Sequence, residues 1–223
     1  MRNPTPGSPA VRAELRAVRI PVETPPDDTN RSPESGIVAT EEPALSAEGL
    51  VRDFGPLRAV DGIGFSLWPG QLMTVFGPNG AGKTTLLGVL SGGLRASAGE
   101  VRLRGMELRT GDPEWHRRIG VLSHQSFLYG HLTLEENLNF FGKLFGLTDL
   151  ATRVPMRLEQ VGLEKRARSL ARTLSRGMRQ RLALARTLLH DPEFVLLDEP
   201  YTGLDAHAAA VLRGVLAAEN GGS

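Results

Sequence analysis

The segment Gly77-Pro-Asn-Gly-Ala-Gly-Lys-Thr84 constrains this chain more than any other part of the sequence. It fits the pattern G-x-x-x-x-G-K-[ST] and stands between an apolar run, Leu72–Phe76, and a helical pattern that continues to Leu90. Glycines allow the backbone to wrap closely around phosphates, and successive N–H groups and the helix dipole attract the anion. The sequence therefore predicts a nucleotide-binding loop between a buried strand and a helix of an α/β domain.

Two side chains of this loop have predicted chemical roles. Lys83 should reach the β- and γ-phosphates, and the Thr84 hydroxyl should ligate Mg²⁺. A glycine-rich turn that fits the pattern by chance is the alternative, and the strand and helix on either side disfavour it. The residues expected to contact the nucleotide are Gly77, Pro78, Asn79, Gly80, Ala81, Gly82, Lys83, Thr84 and Thr85.

Composition excludes several classes of function. A formal net charge of +1 provides no basic field for nucleic acid, so we expect no nucleic-acid partner. The absence of cysteine excludes a disulfide framework, a thiolate metal site and a cysteine nucleophile. No apolar run approaches the roughly 18 residues of a membrane-spanning helix, and the N-terminus lacks the apolar core of a secretory signal. A soluble, cytoplasmic protein is the resulting expectation.

Residues 1–43 differ in composition from the rest of the chain. They contain eight of the 15 prolines, mixed with polar residues and without sustained apolar periodicity. Such a segment buries too little apolar surface to offset its ordering entropy, so we predict a disordered extension, with a regulatory tail as the alternative. Within it, Val11–Ile20 could form a short helix that ends at Pro21. Residues 44–223 are predicted to form the α/β domain.

The second half of the chain mixes two predicted strands with helical patterns. Arg118–Leu122 and Phe194–Leu197 are the strands, and the second is expected to be buried on both faces. Leu132 to about Arg172 is predicted to be mostly helical, and a further helix carries one apolar stripe. The predicted breaks lie at Gly142, Gly146, Pro155 and Gly162, and the stripe consists of Met178, Leu182, Ala185 and Leu189.

Two adjacent acids, Asp198 and Glu199, follow the apolar run Phe194–Leu197. Ligands of open α/β sheets bind beyond the carboxyl ends of the strands, so we expect both acids to face the phosphate-binding loop. Asp198 is suited to hold Mg²⁺ through its hydration shell, and Glu199 is suited to polarise the attacking water as a general base. An acidic turn at a strand end is common by itself, so this hypothesis depends on the preceding loop.

Taken together, five segments resemble the nucleotide-binding domain of ABC transporters, and the similarity extends from about Leu45 to the C-terminus. They occur in the order and rough spacing of that family. The segments are Val-Arg-Asp-Phe54-Gly, the loop from Gly77 to Thr84, Gln125 after the Arg118–Leu122 run, Leu174-Ser-Arg-Gly-Met178, and Tyr201-Thr-Gly-Leu-Asp205, which follows Glu199.

The resemblance implies a role for each matching residue. Phe54 is expected to stack on the adenine, with a core phenylalanine as the alternative. Gln125 is expected to touch Mg²⁺ and to sense the membrane subunit. Ser175 and the N–H groups near Gly177 are expected to bind the γ-phosphate of ATP held by a partner subunit, and Asp205 to cross that dimer interface. The implied catalytic residues are Lys83, Gln125 and Glu199, and the implied metal ligands are Thr84, Gln125 and Asp198.

The family also implies an architecture and partners. The fold would be α/β, of the P-loop NTPase ABC type, with a mostly parallel sheet core, an antiparallel β part towards the N-terminus and a helical subdomain at about 126–175. The implied cofactors are ATP and Mg²⁺. The implied partners are an integral membrane transporter subunit, docked beside Gln125 around Phe127–Asn137, and a second, identical or related ATP-binding subunit. The chain would lie peripherally on the cytoplasmic face of the membrane.

Two positions depart from the family pattern, and one element is expected but not found. Arg176 replaces a glycine, and Met178 replaces a glutamine of the segment that usually reads LSGGQ. A further histidine is expected on a strand beyond the Asp205 helix, whereas His207 comes too early and only 24 residues follow Glu199. We therefore expect a C-terminally truncated chain of low stability, because losing a central strand removes on the order of 6–12 kcal/mol. An ATP-binding module without hydrolysis is the corresponding alternative function.

Several phrases resemble the ATPase of the haem exporter for cytochrome c maturation. They are Gly-Val-Leu-Ser-His-Gln125, Phe-Leu-Tyr-Gly-His-Leu-Thr133 and Leu-Ser-Arg-Gly-Met-Arg-Gln-Arg-Leu182. Drug and lipid exporter ATPases have similar phrases, so haem export and drug or lipid export both follow from the resemblance. A soluble ABC protein of translation or DNA repair is disfavoured, because the chain has one nucleotide-binding unit and no basic surface.

Overall fold

A computed structural model describes the backbone of residues 14–18 and residues 42–123, 126–201, 209–211, 213 and 214. The chain divides into two compact units, one formed by Met1–Leu90 and Leu94–Leu108 and the other by Ser91–Gly93 and Arg109–Ser223. Both strands and helices occur among the described residues, and the mixed α/β class predicted from the sequence is confirmed.

In the part of the first unit that the structure describes, there are two antiparallel sheets and one helix. Its elements are β1 (Glu14–Val18), β2 (Leu45–Phe54), β3 (Leu57–Leu67), β4 (Leu72–Phe76), α1 (Lys83–Leu90), β5 (Ala98–Leu103) and β6 (Met106–Glu107). Four strands pair in the order β3-β2-β5-β6, and β4 pairs with β1. The core of this unit is aliphatic and includes Leu45, Leu50, Leu67, Leu86, Leu90, Val101 and Leu103.

Strand β1 corrects the prediction of a short helix over Val11–Ile20. Residues 14–18 pair antiparallel with β4, in a register that places Glu14 opposite Phe76 and Val18 opposite Leu72. Pairing with a neighbouring strand satisfies the backbone groups of both segments, and such tertiary pairing overrides a weak local helical pattern. The predicted boundary of the extension at residue 43 stays a prediction.

Strand β4 occurs where the sequence predicts it, but its predicted burial is wrong. Leu72 is 42% exposed and Phe76 is 54% exposed, and the three residues between them are partly exposed. The continuous apolar run resembles a strand covered on both faces. Among the described residues, nothing covers β4 to that extent, because burial depends on the layers packed against a strand and not on its own sequence.

Among its described residues, the second unit contains a parallel strand pair and four helices between Pro113 and Thr187, and residues 209–211, 213 and 214 are also helical. Its elements are α2 (Pro113–Arg118), β7 (Ile119–Leu122), α3 (Leu134–Leu144), α4 (Leu150–Gln160), α5 (Arg176–Thr187) and β8 (Phe194–Leu197), with 3₁₀ turns at Glu164–Arg166 and Ala171–Thr173. Strands β7 and β8 pair in parallel, with Leu122 opposite Leu197. A core cluster centred on α3, α4 and α5 includes Leu122, Leu134, Leu138, Leu158, Leu182 and Leu189.

Helix boundaries in this unit partly follow the predicted breaks. Gly146 and Gly162 lie just beyond α3 and α4, as predicted, whereas Gly142 and Pro155 lie inside these helices. A side chain at Gly142 would come within 2.2 Å of Leu150 Cδ2, so this glycine allows α4 to approach α3 closely. The predicted stripe faces the core: Leu182 and Ala185 of α5 and Leu189 just beyond it are buried, and Met178 is partly buried against the same cluster.

Among the described helices, none is long and apolar enough to cross a lipid bilayer.

Candidate nucleotide-binding site

The loop between β4 and α1 has the backbone conformation that its glycines permit. Gly80 and Gly82 have φ values of 85° and 84°, which other residues adopt at a steric cost. A Cβ atom at Gly82 would lie 2.0 Å from the carbonyl oxygen of Ala59 in β3, whereas at Gly80 it would meet nothing within 4 Å. Gly82 is therefore required for packing against β3, and Gly80 borders open space.

The ammonium group of Lys83 folds back over this loop. Its Nζ donates to the carbonyl oxygens of Gly77 at 2.7 Å and Pro78 at 3.0 Å. Helix α1 begins at Lys83, so the positive end of its dipole and the lysine charge lie at the same end of the loop. The N–H of Ala81 donates to Pro78 O at 3.2 Å and closes a turn. A phosphate chain fits this arrangement of cation, exposed glycine backbone and helix start.

Phe54 ends β2 in the same unit as the loop. Its side chain is 42% exposed, and the guanidinium of Arg52 lies 4.5 Å from the ring centroid. The alternative of a core phenylalanine is therefore wrong. Contact with the adenine stays a prediction for this ring.

The two acids lie at the carboxyl end of β8, in the second unit. Asp198 is 8% exposed, and its N–H donates to the carbonyl of Leu122 in β7 at 2.8 Å. Glu199 is exposed and has a φ of 49°, a conformation that is costly for a residue with a Cβ atom. Strained residues of this kind cluster at functional sites, so the outlier supports a functional role for Glu199.

The described residues contain no group of three or more histidine, aspartate or glutamate side chains arranged to hold a metal ion. Mg²⁺ bound by few side chains is ordinary, because this ion retains waters and takes oxygens from substrate phosphates. A single buried carboxylate such as Asp198 and a hydroxyl such as Thr84 fit that mode of binding. Their joint action on one ion stays a prediction.

The segment Leu174-Ser-Arg-Gly-Met178 begins helix α5. Ser175 is the N-cap of α5, and its Oγ accepts a hydrogen bond from the N–H of Met178 at 3.3 Å. Leu174 is buried beneath it, whereas Ser175 and Arg176 are exposed and Gly177 is partly exposed. The buried leucine anchors the helix start and leaves its N-terminal N–H groups near the surface.

Gln125 and Asp205 lie outside the described residues, as do His124 and His207. Their roles, like those of Ser175 and Gly177 towards a partner's nucleotide, stay predictions. Most of the predicted helix from Asp205 to Glu219 also lies outside the described part of the chain, although residues 209–211 are helical.

Asn137 and Arg186 both contact the segment that follows Gln125. Neither residue was predicted from the sequence. Asn137 is fully buried, and its amide bonds to the backbone N–H and carbonyl of Tyr129 at 2.8 and 3.0 Å. Arg186 donates to Val121 O at 2.9 Å and lies over two phenylalanine rings. A polar residue in an otherwise apolar helical stripe was the available signal for Asn137, and for Arg186 there was none.

Comparison with known proteins assigns the family. Residues 60–202 match the family described as ABC transporter. The chain is 42% identical over 178 residues to Nod factor export ATP-binding protein I of Ralstonia nicotianae. The aligned region covers 79% of this chain and 55% of that protein. The chain is also 42% identical over 168 residues to the cytochrome c biogenesis ATP-binding export protein CcmA of Cupriavidus necator, covering 75% of this chain and 74% of that protein.

A solved structure of an ATP binding subunit of an ABC transporter superposes with a TM-score of 0.70 at 26% identity, covering 79% of this chain and 75% of the other. The chain thus spans about half the length of one of these curated relatives and about three quarters of the other.

Proposed function

The chain belongs to the ABC transporter family, and from this premise we propose that it binds Mg-ATP and hydrolyses it to power export through a separate membrane subunit. The observation that carries the proposal is the loop from Gly77 to Thr84, where Lys83 Nζ lies over the loop at the start of α1. A cation, exposed glycine backbone and a helix N-terminus together provide the electrostatic environment that phosphates require.

Each residue has a proposed part in the reaction. Lys83 and the loop backbone bind the β- and γ-phosphates, and Phe54 stacks on the adenine. Thr84, Asp198 and Gln125 hold the Mg²⁺ ion, which neutralises charge on the phosphates when bound. Glu199 accepts a proton from the attacking water.

A second ATP-binding subunit, identical or related, would complete the site. Ser175 at the start of α5, the N–H groups near Gly177, and Asp205 are proposed to face the nucleotide of that subunit. The support is the exposed Ser175 and Arg176 at a helix N-terminus, anchored from below by the buried Leu174. In this arrangement two chains close around ATP, and hydrolysis releases them.

We place the membrane subunit on an aromatic surface formed by Phe127, Tyr129, Phe140 and Phe141. Phe127 is 58%, Tyr129 41% and Phe140 43% exposed, and the rings of Tyr129 and Phe140 pack edge to face with centroids 5.0 Å apart. Exposed aromatic side chains that are already ordered suit a protein interface, because little side-chain entropy remains to be lost. Contact of this surface with the membrane subunit would hold the chain on the cytoplasmic face of the membrane.

Export is the proposed direction of transport, and haem for cytochrome c maturation is the first cargo to test. The relatives named for Nod factor export and for cytochrome c biogenesis are equally similar at 42% identity, so sequence identity does not select the cargo. A drug or a lipid is the alternative cargo. Expression in a strain lacking its haem exporter ATPase, with the cognate membrane subunit, tests the first cargo. Restored holocytochrome c supports haem export, and its absence with a changed drug susceptibility supports the alternative.

Nucleotide binding is tested on the full chain with Lys83→Met. Isothermal titration should show Mg²⁺-dependent ATP binding by the native chain and at least about tenfold weaker binding by Lys83→Met, because an ammonium–phosphate contact is lost. Lys143→Met is the matched control, since Lys143 is an exposed lysine near the end of α3. Equal affinity of all three proteins for ATP would overturn the proposal. ATP binding without turnover would favour the alternative of a non-hydrolysing module.

A further inference from the structure

Arg186, near the C-terminal end of α5, bridges three separate parts of the second unit. Its Nη2 donates to the carbonyl of Val121 in β7 at 2.9 Å. The guanidinium carbon lies 5.6 Å from the ring centroid of Phe127 and 5.3 Å from that of Phe141 in α3. One side chain therefore joins α5, the end of β7 and the start of the aromatic surface.

The environment of Arg186 favours a fixed guanidinium. Burial lowers the pKa of this group to about 10, which leaves it protonated at neutral pH. A partly buried cation over two phenylalanine rings gains from cation–π contact while it donates to a carbonyl oxygen, and the planar shape of the guanidinium is suited to both interactions. Thr187 supports the same carbonyl, because its Oγ1 lies 3.1 Å from Val121 O.

Two of the contacts of Arg186, those with Val121 and Phe127, lie on either side of Gln125 in the sequence. Val121 precedes Gln125 by four residues, and Phe127 follows it by two. Phe127 has a φ of 51°, although a bulky side chain makes this conformation costly, and its ring is 58% exposed. Such a backbone persists only where surrounding contacts hold it, and the guanidinium of Arg186 over the Phe127 ring is one of those contacts.

The same strand end leads to the acidic pair. Val121 is followed by Leu122, whose carbonyl accepts the N–H of Asp198 at 2.8 Å. A shift of the end of β7 would therefore displace Asp198, the buried residue that follows β8. The aromatic surface, the residues that flank Gln125 and the end of β8 are thus connected through consecutive contacts.

We propose that Arg186 is a positioning residue that holds both flanks of Gln125 and the end of β7, and so couples the aromatic surface to ATP hydrolysis. The coupling to hydrolysis rests on the proposed function. The role of Arg186 in holding the residues on both sides of Gln125 does not depend on the proposed function. Misplacing catalytic groups by about 1 Å costs up to roughly a hundredfold in rate, so a side chain that touches no substrate can still control turnover.

The test compares Arg186→Met with Arg181→Met in the full chain. Arg181 is on the same helix and donates to the carbonyl of Val161 at 2.9 Å. Its substitution therefore also removes an arginine-to-carbonyl hydrogen bond, but one whose acceptor does not flank Gln125. Arg186→Lys is the second variant, because it keeps the charge and loses the planar stacking group. Two readouts are measured for each protein: amide hydrogen exchange by mass spectrometry, and ATP turnover per molecule of bound ATP.

We expect Arg186→Met to speed exchange at least about fivefold in peptides covering residues 119–130, with α4 unchanged. Turnover per bound ATP should fall roughly tenfold or more, with the Kd for ATP within about twofold. Arg186→Lys should show smaller changes in the same direction. Arg181→Met should change neither the exchange of residues 119–130 nor the turnover per bound ATP. If Arg186→Met fails to fold, Arg186→Lys decides alone.

Unchanged exchange over residues 119–130 would overturn the positioning role. Exchange that rises locally while turnover per bound ATP stays constant would overturn the coupling to hydrolysis. Exchange that rises uniformly over the chain would show a general stabilising role and also overturn the proposal. A native chain that binds no ATP would refute the proposed function, and the exchange measurement would still decide whether Arg186 holds the two flanks.

Discussion

The backbone N–H of Asp198 donates to the carbonyl of Leu122 at 2.8 Å, just beyond the last register pair of the parallel strands β7 and β8. This bond places the predicted magnesium ligand directly beside the strand that leads to Gln125. Parallel pairing brings the carboxyl ends of both strands to one edge, so residues 76 positions apart in the sequence adjoin the same edge.

Glu199 combines a predicted catalytic role with a costly backbone conformation. Glu199→Gln should lower ATP turnover by roughly 10²–10⁴-fold with ATP affinity retained, because the amide cannot accept the proton of the attacking water. Glu199→Gly should also abolish turnover, and should leave the free energy of unfolding unchanged or raise it by up to about 1 kcal/mol, because glycine adopts positive φ freely. Steady-state kinetics and urea unfolding measure the two effects.

Glu193→Gln is the control for loss of a nearby exposed carboxylate and should turn over normally. Normal turnover by Glu199→Gln would contradict the assignment of Glu199 as the general base.

Gly80 and Gly82 have nearly equal φ values but different surroundings, so they separate backbone strain from packing. Gly80→Ala should destabilise the chain by about 1–2 kcal/mol through strain alone. Gly82→Ala should cost about 1–3 kcal/mol more, because its Cβ would lie 2.0 Å from Ala59 O. Chemical denaturation of both variants without nucleotide gives the difference. Equal losses would show that the packing of the loop against β3 contributes nothing.

Asn137 is expected to hold the segment that follows Gln125. Its Oδ1 accepts the N–H of Tyr129, and its Nδ2 donates to the carbonyls of Tyr129 and Thr133. Asn137→Leu keeps the approximate volume and removes the acceptor of the Tyr129 N–H, whereas the carbonyls of Tyr129 and Thr133 still accept the backbone N–H groups of Leu132 and residue 137. The free energy of unfolding should therefore fall by about 1–3 kcal/mol. Asn139→Leu, at a partly exposed position of the same helix, should stay within about 0.5 kcal/mol. Similar losses for both variants would contradict the role of Asn137.

His190 gives the second unit a predictable pH dependence. Burial lowers the pKa of its imidazole, which stacks on Phe145 with ring centroids 4.0 Å apart and interplanar angle 13°. The unfolded chain protonates this histidine near pH 6.5, above the folded pKa, so the unfolded state binds more protons between the two values. Stability should therefore be full above about pH 7, fall as the pH drops below about 6.5, and level off below the folded pKa.

Urea unfolding between pH 5 and pH 8 measures this dependence, and His190→Gln should flatten it. The charges nearest His190 are Asp191, Arg186 and Arg157, and their side chains are unchanged in that variant. His131→Gln, at an exposed position, is the control and should keep the native profile. A native profile in His190→Gln would show that other groups cause the loss of stability.

Sequence patterns predicted most elements of the site because the chemistry there is local. The loop from Gly77 to Thr84, its flanking strand and helix, and the helix opened by Ser175 all occur as predicted. Each depends on neighbouring residues in the chain: glycines that allow positive φ, a cap three residues before its N–H donor, and apolar runs of strand length.

The local sequence determined the phosphate loop, because a few adjacent residues suffice for it, and five short segments in a fixed order carried the resemblance to the family. Tertiary structure alone decided that residues 14–18 form a strand beside β4, that β4 is exposed, and that Arg186 reaches Val121 and Phe127. These features depend on which distant segments meet. A residue's own pattern carries its preference for helix or strand, whereas burial and partners depend on the free energy of packing the whole unit.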